Sequence, residues 1–371
     1  LKKNITYIIS DIDKALAFEW ISEAIQKEHF NFNVILLNPG DSTLERFLKD
    51  KGIAVDRVKY SGKKHLLSAF WKVRRLFKKY KSEVIHCHLF DACVVGLLAA
   101  KSIGIKKRIF TRHHADYHHV YFPRAVYYDK IISYLATDII AISENVREIL
   151  IEKENVNPSK IHLIHHGFHL DLFSDVSTDR VDNLKEKYHI SQNNSPVIGV
   201  IARQTHWKGI QYIVPAFQKL LKKYPQAHLI LANATGDYKK EINLLLQELP
   251  KSAYTEISFE HDLPALYQLF DIYVHTPVDE CCEAFGQTYV EALAAKIPSI
   301  FTLSGVAREF IRHEKNALVV PFQDSDSIYQ SMVPLLENEQ LCSMLKENGK
   351  EDVFKLFDFD KFANETMKHY V

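Results

Sequence analysis

TPVDECCEAFGQTYVEALAA, residues Thr276 to Ala295, follows a short β-branched run ending at His275 and leads into a segment of helical period. A strand, a loop and a helix start in that order make the unit of a doubly wound α/β fold, whose ligands sit beyond the carboxyl ends of the strands. Glu283 and Glu291 lie eight residues apart. With the helix starting near Gly286, its first-turn N–H groups point back toward the loop and suit an anion such as a diphosphate. Glu291 then stands about one and a half turns into the helix, where a carboxylate can accept hydrogen bonds from two ribose hydroxyls. The plainer reading is two surface glutamates, with Phe285 and Tyr289 as core.

The same order recurs upstream. VIGVIARQTHWKGIQ, Val197 to Gln211, runs from a strand through a loop into a helix and places Arg203 and Lys208 where two cations can converge on a diphosphate. Further outward, short β-branched runs alternate with helical segments along the whole chain. In the first half the expected strands are Ile5 to Ser10, Asn33 to Asn38, Val84 to His86, Arg108 to Thr111, Ile139 to Ile142 and Ile161 to Ile164. Helices are expected over Ala15 to Lys27, His65 to Lys79, Leu89 to Ile103 and Tyr121 to Leu135. After a polar stretch from about Asp175 to Pro196, read as a linker, strands are expected at Val197 to Ile201, His228 to Ala232, Glu256 to Phe259, Ile272 to His275, Ser299 to Phe301 and Ala317 to Val320. The architecture predicted is α/β: two doubly wound sheets in series, facing each other across a cleft.

A chain of 371 residues is too long for one core, which agrees with two domains. Forty-seven Lys and Arg against 46 Asp and Glu give a net charge of +1, so no whole-molecule field recruits nucleic acid. Five sparse cysteines without a C-x-x-C spacing indicate neither a disulfide framework nor a zinc module, and fit a reducing cytoplasm. The start reads as a first strand rather than an export signal, and the longest uncharged apolar stretch, Ala92 to Ala100, is too short to cross a bilayer. The twelve glycines form neither G-x-G-x-x-G nor G-x-x-x-x-G-K, which disfavours dinucleotide dehydrogenases and P-loop kinases. Histidines crowd the first half (His86, His88, His113, His114, His118, His119 and others), yet H-E-x-x-H is absent and no metal site is predicted. Cys281 and Cys282 precede Glu283 and read as packing rather than as thiol nucleophiles.

Taken in order along the chain, these stretches resemble the retaining glycosyltransferases of family 4, the group 1 glycosyltransferases, which have the GT-B fold of two facing Rossmann-like domains. The resemblance covers nearly the whole chain. Its core is the E-x7-E motif, Glu283 to Glu291 in ECCEAFGQTYVEALAAKIPSI. Supporting it are ARQTHWKG with Arg203 and Lys208, TRHHAD from Thr111, HHGFHLDLF from His165, SGVAREFI from Ser304 and NALVVPFQDSDSI from Asn316. The resemblance implies that Arg203 and Lys208 hold the donor diphosphate and Glu291 the ribose. It further implies that Glu283, with the backbone around Ala284, Phe285 and Gly286, holds the donor sugar, that Gln287 belongs with them to the donor-binding loop, and that His113 reaches that sugar from the first domain.

On this basis the chain is expected to move a sugar from a nucleotide-diphosphate sugar, with a lean to UDP, onto a hydroxyl of a saccharide or lipid-linked acceptor in bacterial cell-surface polysaccharide or glycolipid synthesis. Neither cofactor nor catalytic metal is expected. The competing readings are a two-domain nucleotide- or sugar-binding protein without turnover and a GT-B epimerase or phosphorylase. Three departures from the family pattern stand out: SDIDKALAFEW after the first strand in place of a Gly-Gly loop, Ala284 for the first glycine of the donor loop, and Lys296 before the Ile-Pro pair. They leave the donor sugar and the acceptor-side loop open.

The domains expected are residues 1–175 on the acceptor side and 176–354 on the donor side, with the last helix, near Phe357 to His369, returning to pack on the first domain. Asp11 and Asp13 end the first strand, either to orient an acceptor hydroxyl or to cap a helix. From Arg57 to Lys81 ten lysines and arginines occur without an acid, interleaved with Leu66, Leu67, Phe70, Trp71, Leu76 and Phe77. That stretch is either an anionic-membrane contact for a cytoplasmic, peripheral enzyme or an amphipathic helix whose apolar face is core.

Overall fold

The computed structural model describes residues 2–28, 30–191 and 193–371; Leu1, His29 and Gln192, the last within the expected linker, lie outside it. The chain forms two units. One runs to Phe168 and takes in Phe359–Val371; the other is His169–Asp358. The expected divisions were after residues 175 and 354.

Seven parallel strands form the first sheet: β1 (Lys3–Ser10), β2 (Phe30–Asn38), β3 (Ala54–Lys59), β4 (Val84–His88), β5 (Lys107–Arg112), β6 (Asp138–Ala141) and β7 (Ile161–Leu163), in the order β3-β2-β1-β4-β5-β6-β7. Central β1 and β4 are covered on both faces, which is why their sequences read as near-continuous apolar runs. β3 escaped the sequence reading. It is an edge strand, AVDRVK, mostly solvent-facing, and so lacks the apolar run that marks the others. The long helix expected over Tyr121 to Leu135 is broken at Pro123 into Tyr117–Tyr121, a single tight turn and Val126–Leu135.

The last helix, Phe359–Lys368, belongs to this first unit. Phe359, Ala363, Met367 and, just beyond, Tyr370 share one core with Ile5, Tyr7, Phe18 and Ile21. Tyr370 carries the polar part of the seam: its hydroxyl bonds that of Tyr7 and lies 2.8 Å from His86 Nδ1, whose Nε2 lies 2.8 Å from Thr111 Oγ1. Phe357, expected to share the helix's buried face, instead packs edge-on against Phe285 and Phe310 of the second unit. The apolar series divides at Asp358.

The second sheet has six parallel strands: β8 (Val197–Ile201), β9 (His228–Ala232), β10 (Tyr254–Ile257), β11 (Ile272–His275), β12 (Ser299–Phe301) and β13 (Leu318–Val319), ordered β10-β9-β8-β11-β12-β13. Here the expected linker is corrected. Its helix, Thr178–Lys187, is tied to the second unit by Arg180 gripping Asp262 through two N–H groups (2.9 and 2.6 Å) and by Lys187 and Tyr188 on Glu260. Leu184 on its inner face is buried. These anchors lie some seventy to eighty residues away in sequence, so local polarity gave no sign of them.

Candidate functional site

β8 and β12 flank β11, so the loops leaving these three strands at their carboxyl ends are neighbours. Two backbone contacts stitch the first two loops together: Val278 N–H donates to Trp207 O, and Gly209 lies against Thr276. Gly209 has φ +73° at the start of helix Ile210–Lys223, and a Cβ there would sit 1.8 Å from the Thr276 carbonyl oxygen. Gly286, φ +87°, plays the matching part at the start of helix Gln287–Ala294, where a Cβ would strike the Tyr289 ring. The loop after β12 closes the set: Ser304 Oγ accepts from Glu283 N–H at 3.2 Å, and Val306 N–H donates to Phe285 O.

Within this frame Glu283 and Lys208, 75 residues apart, form a pair: Lys208 Nζ donates to Glu283 Oε1 at 2.5 Å. His275, the last residue of β11, lies with Nε2 3.2 Å from the same oxygen. Burial by itself would raise the Glu283 pKa, but the Lys208 charge and the His275 hydrogen bond outweigh it and hold the carboxyl down to about 2. Burial is also the main cause that lowers His275, the contacts with Glu283 opposing it. The sequence reading missed His275; its position eight residues before Glu283, at the strand end, is the signal that could have found it.

Arg203 is exposed, its guanidinium 6.0 Å from the Trp207 ring. The two cations of this loop therefore differ: one is already paired to a carboxylate, and the other faces solvent. Phe285 is buried, Ala284 is partly so, and Gln287 is exposed. Glu291 is not the surface carboxylate of the plainer reading. It is buried, with Gln287 Nε2 2.6 Å from Oε1 and the Tyr267 hydroxyl 3.0 Å from Oε2. Burial raises its pKa, against the pull of both hydrogen bonds. Tyr267 is a partner that spacing could not reveal. The Cys282 thiol is pushed up to about 12 by burial, with the Glu283 and Asp279 charges adding to the effect, so it is no ready thiolate.

In the first unit His113 follows β5, and His88 Nδ1 from the end of β4 lies 3.2 Å from His113 Nε2. The His166 ring stacks on His113 with centroids 5.6 Å apart. These side chains, with His86, Tyr7 and Phe18, line a cavity of about 180 Å³. Burial, reinforced by neighbouring imidazoles, lowers His88 and His113 far below the ordinary value and takes His166 to about 4. All are neutral at pH 7. Of the acids after β1, Asp11 is exposed, while Asp13 Oδ1 accepts from Thr43 N–H at 2.9 Å and so steadies the start of helix Thr43–Asp50. Ser10 Oγ is buried and accepts from Ala92 N–H.

The basic stretch forms β3 and then helix Leu66–Lys79, with Ala69, Val73 and Phe77 in the core. Its apolar face is thus largely structural. The outer face still shows Leu67 at 71% and Trp71 at 55% exposure, beside exposed Lys72, Arg75 and Lys78. Arg57 is neutralised by Asp41 and Glu45, and Lys79 by Asp56. No helix among the described residues is long and apolar enough to cross a membrane. Two side-chain triads among them have metal-binding reach, His114 with His118 and Asp129, and Asp138 with His162 and His369, both in the first unit. Each carboxylate already faces a cation, Arg112 at 3.1 Å and Lys107 at 2.9 Å respectively.

Two Rossmann-like parallel α/β units, the second carrying the carboxylate–lysine pair at its strand ends, make this a glycosyltransferase of the GT-B fold. The sequence matches Glycosyltransferase Family 4 over residues 21–172 and Glycosyl transferases group 1 over residues 182–352. The chain belongs to this family, the group 1 glycosyltransferases of family 4. Among its relatives are a capsular polysaccharide biosynthesis glycosyltransferase of Staphylococcus aureus (26% identical, 78% of this chain and 77% of the relative) and the alpha-monoglucosyldiacylglycerol synthase of Acholeplasma laidlawii (25%; 81% and 77%). The fold matches Anabaena HepE, crystallised with UDP and glucose, with a TM-score of 0.84 at 20% identity over 99% of both chains.

Proposed function

We propose that the protein is a retaining glycosyltransferase that takes a sugar from a UDP-sugar and places it on a hydroxyl acceptor in cell-surface polysaccharide or glycolipid synthesis, at the cytoplasmic face of a membrane. The observation that carries this reading is the Lys208–Glu283–His275 arrangement in the loops after β8 and β11, beside exposed Arg203. The relatives named for capsular polysaccharide and glucosyldiacylglycerol synthesis, and the UDP bound by HepE, support the choice of donor and acceptor class.

As the bond to the diphosphate breaks, negative charge grows on the leaving oxygen, and groups that meet it there lower the barrier. Arg203 and Lys208 are assigned that work, so the reaction needs no metal. Lys208 enters it already aligned by Glu283, which limits its reorganisation. Glu283 addresses the donor sugar with the backbone from Ala284 to Gly286; Gln287 and Glu291 serve the nucleotide side, and His113 acts as a neutral hydrogen-bonding group toward the sugar.

Thermal-shift measurement with UDP, GDP and ADP, followed by assay of nucleotide diphosphate release from the matching sugars in EDTA, tests the proposal. UDP is expected to stabilise most, since a ligand of the native state adds RT ln(1 + [L]/Kd). The product's anomeric configuration, read by NMR, should equal the donor's. Stabilisation by none of the three nucleotides would remove the reading, and strict dependence on added metal would remove the assigned role of the two cations.

A further inference from the structure

Three hollows of the first unit lie in series. The 180 Å³ cavity under His113 shares Leu89, Thr111 and His113 with a second hollow of about 240 Å³. That hollow shares Phe90 and His118 with a third, an open groove of about 670 Å³. The groove is walled by Tyr60, Leu66, Val94, Phe122, Pro123 and Tyr128, and carries two cations, Lys63 and Arg124. Lys63 Nζ lies 5.9 Å from the Tyr128 ring, placing a positive charge against the aromatic wall. Asp91 also lines it, but is partly buried and takes the Tyr60 hydroxyl at 3.1 Å.

The surface around the groove is unusual for a protein surrounded only by water. Helix Val126–Leu135 turns Tyr127, Ile131 and Tyr134 outward at spacings of four and three, one helical face, with Tyr127 and Tyr134 more than 70% exposed. Val120 and Phe122 are more than half exposed in the preceding turn. Exposed aromatic side chains near an apolar groove with cations mark a site for a ligand that is part hydrocarbon and part anion.

We propose that this groove binds the hydrocarbon chain of a lipid phosphate acceptor, with Lys63 and Arg124 meeting its phosphate and the linked hollows leading its hydroxyl-bearing head toward His113. The inference rests on the glycosyltransferase reading and names the acceptor class of that same site. Hydrocarbon fits the walls, a phosphate complements the two cations, and a chain seated here would lie next to the outward aromatic face, where a bilayer would present it.

The test uses the full chain and monomeric alkyl phosphates below their micelle-forming concentrations, measured by calorimetry. Each methylene buried should tighten binding about fourfold, so decyl phosphate should bind roughly tenfold or more tighter than octyl phosphate. Tyr128→Ala and Phe122→Ala should flatten that dependence on chain length. Lys63→Gln and Arg124→Gln should weaken both phosphates alike and keep the dependence, and decyl maltoside should bind wild type more weakly than decyl phosphate. Absence of saturable binding, an affinity matched by inorganic phosphate, or adsorption to phosphatidylglycerol vesicles without monomer binding would each overturn the proposal. UDP stabilisation, measured in parallel, keeps the two readings apart: if UDP still raises Tm while decyl phosphate fails to bind, only the groove falls; if UDP has no effect, the glycosyltransferase reading falls first.

Discussion

The strand ends of the two units are built from opposite chemistry. In the second, Glu283 and Lys208 are charged and paired, with the carboxyl held down to about 2 despite its burial. In the first, His86, His88, His113 and His166 line an apolar cavity and are held neutral by that same burial. A leaving diphosphate needs fixed charge; a sugar hydroxyl needs hydrogen bonds from a site that does not compete for the charge. Under the proposed function, leaving-group stabilisation falls to the second unit and positioning to the first.

The sharpest way to break the first unit is to remove Phe359–Val371. The deletion exposes the surfaces covered by Phe359, Ala363, Met367 and Tyr370, and strips His86 and Tyr7 of a buried partner. At about 1.5–3 kcal/mol for each large apolar side chain, the loss approaches the whole stability of a domain. Thermal unfolding and hydrogen exchange should show β1 and β4 unprotected in the truncated chain. Unchanged protection there would mean that the helix is an ornament of the first core, not part of it.

Next in size is the charge of the second unit. Arg203→Ala and Lys208→Ala should each lower kcat by about 10²-fold or more, as when an oxyanion-hole donor is lost. The two should differ in stability. Lys208→Ala leaves Glu283 buried without its cation, a change that costs about 3–5 kcal/mol in buried pairs, whereas exposed Arg203 should leave Tm nearly unchanged. The double variant Lys208→Met with Glu283→Gln should recover the stability but not the turnover. Wild-type turnover in both single variants would move the diphosphate away from this loop.

Acid sharpens the comparison more gently. Six histidines of the first unit, His86, His88, His113, His114, His166 and His369, are lowered from 6.5 chiefly by burial, against His228 and His275 in the second. A native state that stays neutral while the unfolded chain takes protons loses stability as pH falls below about 6.5, until the native pKa is reached: about 3 for His86 and about 4 for His166. Each such group contributes up to about 1.4 kcal/mol per pH unit in that window. Glu283 is shifted downward too, but from a lower starting value, so its contribution is lost only as pH drops from 4.5 toward 2. Between pH 7 and 5, hydrogen exchange corrected for intrinsic rates should therefore show protection falling faster in β4 and β5 than in β8 and β11. Equal losses would deny the contrast.

What could be read in the sequence follows burial. β8, β9, β11 and β12 match their expected bounds residue for residue because a strand covered on both faces is an unbroken apolar run between polar turns. β3, with one edge and most side chains in water, carries no such run. In the site, Arg203, Lys208, Glu283 and Glu291 stood out as residue types at strand ends, yet nothing local joins Lys208 to Glu283. Their meeting depends on β8 lying beside β11, a property of strand order. Tyr267 and Ser304 escaped for the same reason, each mattering through a contact made by topology, whereas His275, eight residues before Glu283 at the end of β11, was within reach of a local reading.

The smallest expected effect tests the finest part of the division, within the second unit itself. Glu291 sits on helix Gln287–Ala294, buried, with one oxygen taken by Gln287 and the other by Tyr267. The ribose contact proposed for Glu291 would be made equally before and during bond cleavage, so its loss should raise KM and spare kcat. Glu291→Gln keeps the side chain's shape and one acceptor oxygen, and replaces a charge-assisted hydrogen bond by a neutral one. That difference is worth about 1 kcal/mol, or roughly fivefold in KM for the UDP-sugar, with kcat within about twofold of wild type. Tm should hold, because the Tyr267 hydroxyl can turn to accept from the new amide while Gln287 keeps its acceptor. A fall in kcat at constant KM would instead place Glu291 with Lys208, among the groups that meet the transition state, and the split between nucleotide binding and charge stabilisation inside this unit would have to be redrawn.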